Sequence, residues 1–290
     1  FMKGSQEMSD GVLSHLEQHV EDYFTAQDHV GYNRYTDFQW SSLPDAISHS
    51  NMKDLHLGAV ETAMLVEDHI PGYGSEYIRL FSITEDLSDE QAWKNRQMLH
   101  FVFRWVAEED RHGHILELYL RNSGRRDSEQ LTALMVKEGK KPYTAPHEHP
   151  TALFAYTSLQ EKATQIFYNC LRRSVDEPIL RDVLSRLSQD EARHCHFFTK
   201  MVMDALAQPG ERTAQLVKEA MVNFEMPLAH MLDHYKRKAI QMMRAANGYN
   251  YLDAFDHFSR VLHRVAQSRV NSRAHTLEDL ISLARELTPA

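Results

Sequence analysis

Apolar residues recur along this chain at spacings of three and four, without convincing strand alternation, so the pattern predicts helices throughout. Amphipathic stretches run over about 11–28, 53–70, 88–121, 127–138, 149–173, 177–206, 210–223, 229–246, 251–270 and 276–287. A polar, aromatic segment with Tyr32, Tyr35, Phe38 and Trp40 separates the first two and leads to Pro44. Ser88-Asp89-Glu90-Gln91 has the form of a capping box that starts the longest helix, and Gly124 suits its end.

One face of the longest helix carries Met98, Phe101, Val102, Trp105, Glu109, His112, Leu116 and Tyr119. An acid and an imidazole thus occupy core positions, where an unpaired charge is costly. The stretch 177–206 repeats the arrangement with Leu180, Val183, Leu187, Glu191, His194, Phe198 and Met201. Both pairs sit in one pentapeptide frame, acid-Glu-x-Arg-His, at Glu108–His112 and Asp190–His194. Glu and His three apart on a helix point the same way and can grip one metal ion.

Two further helices place a lone Glu on the inward face. The series are Val60, Met64, Glu67, Ile70 and Phe154, Thr157, Glu161, Thr164, Tyr168, Leu171. Four carboxylates and two histidines on four helices form the ligand set of di-iron or di-manganese carboxylate bundles. Two divalent ions would nearly neutralise four carboxylates, which lets such a centre be buried.

Composition narrows the class further. The 290 residues are 42% hydrophobic and 25% charged, with only 11 Gly and 9 Pro, as expected of a soluble, helix-rich globular protein. No apolar run is long enough to span a bilayer and the first thirty residues are too polar for a signal peptide, so a cytoplasmic protein is expected. Cys170 and Cys195 form no C-x-x-C and indicate neither a zinc knuckle nor a disulfide framework. A net charge of −9 argues against nucleic-acid binding. Residues 1–10, where Phe1 precedes Met2 as a vector-like remnant, are expected to be a disordered N-terminus, and 11–290 one domain.

At this point the chain resembles the soluble acyl-acyl carrier protein desaturases, a ferritin-like di-iron family. Trp105-Val106-Ala107-Glu108-Glu109-Asp110-Arg111-His112-Gly113 follows the family's W-x-A-E-E-N-R-H-G with Asp for Asn. Asp190–His194 matches its D-E-x-R-H, and Tyr156–Thr164 resembles its Y-T-S-F-Q-E-R-A-T. Glu67-Asp68 with Pro71 and Tyr73, Met226-Pro227 and Phe255–Ser259 extend the likeness over about residues 30 to 285.

The resemblance implies an all-α ferritin-like helical bundle with additional helices. By it Glu109 and Glu191 bridge two irons, with manganese as a substitute, while Glu67 with His112 and Glu161 with His194 complete the ends. Thr164 matches a threonine beside the oxygen-binding face, and Asp190 an acid that orients a ligand histidine near the electron-entry route, where Trp40 stands for a surface tryptophan. The implied activity is O2-dependent desaturation of an acyl chain on acyl carrier protein, with electrons from ferredoxin, in a homodimer. The chain ends soon after residue 285, as in the shorter bacterial members. An acidic carrier needs a basic dock, for which Arg125-Arg126, Lys140-Lys141 and Lys236-Arg237-Lys238 are candidates. Hydroxylation of a carrier-bound substrate by a related di-iron oxygenase, or ferritin-like iron storage, are the alternatives.

Overall fold

The computed structural model describes residues 15–207, 211–268 and 274–288, so the expectation for residues 1–10 lies outside the described residues. Among the described residues there are α-helices and short 3-10 turns and no strand, in agreement with the all-α expectation. In chain order the helices are α1 (Leu16–Asp28), α2 (Leu43–Ser48), α3 (Asp54–Glu67), α4 (Ile70–Leu80), α5 (Asp89–Asn122) and α6 (Ser128–Gly139). They continue with α7 (Pro150–Ser174), α8 (Pro178–Ala207), α9 (Glu211–Val222), α10 (Tyr235–Ala245), α11 (Ala254–Ser268) and α12 (Ala274–Leu287).

The helix ends follow from local chemistry. Ser88 caps α5 by accepting from the Gln91 N–H at 3.2 Å, and Gly124 follows its last turn at φ +66°. Glu177, fully buried, accepts from the N–H groups of Ile179 and Leu180 at 2.9 and 2.7 Å and so caps α8. Pro150 and Pro178 begin α7 and α8, where the missing N–H costs nothing.

Two predicted helices are interrupted. The stretch read as 53–70 ends at Glu67 and resumes at Ile70 as α4, an element the periodicity did not predict. In one continuous helix the Pro71 ring would strike the carbonyl four residues back, that of Glu67, so the break falls directly after this acid. The stretch read as 229–246 is helical only from Tyr235, because Leu228 and His234 adopt left-handed φ of 60° and 58°.

Helices α3, α5, α7 and α8 form the centre, with α7 and α8 joined by a three-residue link, Val175–Glu177, and α5 packed on both α3 and α8. Helix α1 lies across α5 and α8, α10 covers α3, α9 and α11 cover the α7–α8 side, and α12 packs on α9 and α11. At one level of the core Phe101, Trp105, Phe154, Phe197 and Phe198 are all buried, and the Phe198 ring meets Phe101 and Trp105 edge-on at 5.3 and 5.5 Å. Such aromatic contacts add to the gain from burial alone. No helix among the described residues is long and apolar enough to cross a membrane.

Candidate metal centre

One turn below the aromatic layer the bundle turns polar. Glu67 ends α3, Glu109 and His112 come from α5, Glu161 from α7, and Glu191 and His194 from α8. All six are buried. Their donor atoms fall into two sets, Glu67, Glu109, His112, Glu191 and Glu109, Glu161, Glu191, His194, each with its atoms within 4.8 Å of one another. Glu109 and Glu191 belong to both. His112 Nδ1 lies 3.4 Å from Glu109 and 3.3 Å from Glu191, while His194 Nδ1 lies 2.8 Å from Glu109, 3.5 Å from Glu161 and 3.7 Å from Glu191.

The outer nitrogen of each imidazole is spoken for, and crosswise. His112 Nε2 is 3.0 Å from Asp190, on α8, and His194 Nε2 is 3.0 Å from Glu108, on α5. A carboxylate at Nε2 holds the proton there and turns the Nδ1 lone pair inward, the tautomer a metal ligand requires. Arg111 and Arg193 each reach both Glu108 and Asp190, and the Tyr23 hydroxyl donates to Glu108. Burial alone would raise the carboxyl of Glu108, but the hydrogen bond and charge of His194, Arg193 and Tyr23 hold it far below the usual range.

Inside the set, like charges crowd. Burial, then the charges of Glu109 and Glu191, push Glu67 and Glu161 well above the ordinary carboxylate range. Burial opposes charge on the two histidines, yet the surrounding carboxylates raise both well above a free imidazole. Without an ion the centre must therefore hold extra protons. The inward atoms His112 Nδ1, His194 Nδ1, Glu109 Oε1, Glu161 Oε1 and Glu191 Oε1 are buried with no hydrogen-bond partner. Orphaned buried donor atoms of this kind are expensive unless something binds them. Oxygen and imidazole donors with four negative charges fit two divalent cations.

Glycine eases the approach. A Cβ on Gly113 would lie 3.3 Å from the Asp68 backbone nitrogen and 3.4 Å from the Glu67 carbonyl carbon, so a side chain there would push the end of α3 back by a few tenths of an ångström. Tyr168 of α7 donates its hydroxyl to Glu67 Oε1 and ties this helix end across the bundle.

All six sequence-predicted donors and Asp190 meet at the centre. Thr164 stands one turn beyond Glu161 on α7, partly exposed, with no side-chain hydrogen bond among the described residues. Trp40 is partly exposed and packs on Phe38, whose ring meets Tyr32. Its indole N–H donates to the Arg34 carbonyl at 2.8 Å, whereas the aromatic ring beside Asp190 is that of Tyr32, stacked 4.3 Å from the Arg111 guanidinium that contacts Asp190. The spacing from Pro44 said nothing of which aromatic turned inward. Glu108, Arg111 and Arg193 had been given no role, although the repeated frame acid-Glu-x-Arg-His held their signal; Tyr23, Tyr32 and Tyr168 left none.

Comparison with known proteins is consistent with this geometry. A family model described as fatty acid desaturase matches residues 2–285. The acyl-[acyl-carrier-protein] 6-desaturase of Thunbergia alata is 28% identical over 239 residues, covering 80% of this chain and 57% of that protein. The chloroplastic stearoyl-[acyl-carrier-protein] 9-desaturase 6 of Arabidopsis thaliana is 27% identical over 226 residues, 75% of this chain and 52% of its own length. The chain thus spans little more than half of these plant relatives. The Mycobacterium tuberculosis protein DesA2 is 25% identical over 235 residues, 80% of this chain and 81% of that protein. The X-ray structure of DesA2 superposes with a TM-score of 0.64 at 17% identity, covering 93% of this chain and 99% of that one, which establishes a shared fold.

Proposed function

The chain belongs to the fatty acid desaturase family, and from that premise we propose that it is an O2-dependent desaturase placing a double bond in an acyl chain carried on acyl carrier protein. The observation that carries this reading is the pair of buried donor sets, each with an imidazole fixed at Nε2 and orphaned at Nδ1. Glu109 and Glu191 would bridge two irons, Glu67 with His112 and Glu161 with His194 would complete the two ends, and manganese is the substitute that the same donors accept. Iron would supply the oxygen chemistry that unactivated methylenes require, since such C–H bonds give a protein acid or base no purchase.

The chain's own residues position and protect. Asp190 and Glu108 keep the N–H of each imidazole outward. The buried rings of Trp105, Phe154 and Phe198 exclude water from one side of the centre. Thr164, one turn past Glu161, relays protons beside the oxygen-binding face in this reading. Ferredoxin is the electron donor, a homodimer the working form, and the described helices act as one domain around the centre.

The test is mass spectrometry of acyl carrier protein products after incubation with ferredoxin, its reductase and O2. Loss of two hydrogens is the expected result. Gain of one oxygen means hydroxylation, and an unchanged acyl group at every chain length tried, with iron and O2 consumed, means storage.

A further inference from the structure

Two clefts lie near the buried donors, and their walls differ in charge. One of about 460 Å³ between α1 and α8 is lined by His19, Asp22, Arg193, His196 and Lys200 around Tyr23 and Phe197, and its floor lies on the His194 side. The other, of about 210 Å³, lies at the break between α3 and α4 and is lined by Glu67, Asp68, Asp110, His114 and Glu117, with no Lys or Arg in its wall. Asp110, His114 and Glu117 are one and two turns apart on a single face of α5, and Gly113 in the same wall adds no side chain to close it.

Resting on the metal-centre reading, we infer that this acidic cleft is the route by which a divalent metal ion reaches the centre, collected by Asp110, Asp68 and Glu117 and received by Glu67. Glu67 belongs both to the cleft wall and to the first donor set, so an ion arriving there meets a ligand without crossing the apolar core. Directly behind it stand His112 Nδ1, on a residue with no exposed surface, and Glu109 Oε1, buried acceptors that make no well-directed hydrogen bond. Among the described residues Asp68 and Asp110 make no ion pair, and Glu117 pairs with Arg121 at 2.7 Å. A cleft walled by one sign of charge raises the local concentration of the opposite ion and its arrival rate by roughly ten- to a thousandfold at low salt.

The test follows Co2+ uptake by the full metal-free chain in a stopped-flow absorption experiment. Asp110→Asn with Glu117→Gln should slow the second-order uptake about tenfold at low ionic strength and flatten its salt dependence. The equilibrium dissociation constant should stay within about twofold of wild type, because neither residue is among the six donors. Glu21→Gln with Glu129→Gln removes the same charge elsewhere and should leave the rate unchanged. Equal rates for the two double variants, or a loss of equilibrium affinity matching the loss of rate, would overturn the route. A wild type that binds no Co2+ at any concentration would instead defeat the metal-centre reading itself.

Discussion

Glu108 of α5 and His194 of α8 lie 3.0 Å apart, Oε2 to Nε2, so the acid of one Glu-x-x-His frame orients the imidazole of the other. Replacing Glu108 by Ala frees the His194 tautomer and leaves Arg193 short of a partner. Loss of such an orienting carboxylate typically lowers metal affinity by about 10–100-fold. Calorimetric titration with Co2+ checks this, and an affinity equal to wild type would remove Glu108 from the account of the centre.

Glu191→Ala and His194→Ala each take a donor from the sets that Glu109 and Glu191 share. Wild type should carry about two irons per chain by elemental analysis, and the variants distinctly less. Metal-free Glu191→Ala should melt no lower than metal-free wild type, since it removes a carboxylate from a crowd of buried carboxylates. The upward shift in melting temperature on adding metal should shrink in both variants. A wild type that holds no metal and is equally stable without it would refute the centre.

The basic clusters proposed for carrier docking separate once their partners are visible. Arg125 and Arg126 pair with Asp54 and Glu61, Lys141 with Glu138 and Asp233, and Lys238 lies 4.0 Å from Glu61, whereas Lys140 is exposed. Lys236 and Arg237 on α10 are exposed and make no ion pair among the described residues. Charge reversal of Lys236, Arg237 and Lys238 should weaken binding of acyl carrier protein about tenfold or more at low salt. Unchanged affinity in a fluorescence titration would take α10 out of the docking face.

His257 on α11 is held neutral. Burial, then the charges of Lys162, Arg260 and Arg264 outweighing Asp256, lower its pKa to about 4, with the buried Cys195 thiol 3.7 Å from its ring. An unfolded histidine takes its proton near pH 6.5, so acid favours the unfolded chain first. Stability is lost as pH falls from about 6.5 to about 4, by on the order of 1–2 kcal/mol after solvent screening. His257→Gln should flatten thermal melts over that window; an unchanged slope would assign the acid sensitivity elsewhere.

How much was legible in advance depended on what kind of signal each residue leaves. Glu109, His112, Glu191 and His194 announce themselves because polar residues in phase with a core stripe break its pattern. Glu67 and Glu161 are single acids and gain weight only as members of the set. The periodicity gave no helix over α4, where Gly72 and Gly74 weaken helix propensity, although Pro71 suits the first turn in which it stands. Tyr23 and Tyr168 could not be read at all: their partners Glu108 and Glu67 lie 85 and 101 residues away, and no periodicity links them. The same holds for the inward turn of Tyr32.

The crosswise pairing also bears on how the molecule comes together. Neither α5 nor α8 carries a finished half-site, because each imidazole takes its orientation from an acid on the other helix. A pair of ions, one at each imidazole and sharing Glu109 and Glu191, would therefore read the register between two segments some 80 residues apart, and their binding energy would accrue only to chains in which that register is right. Metal bound there would serve as an inspector of assembly, sorting correctly docked bundles from compact but misaligned ones.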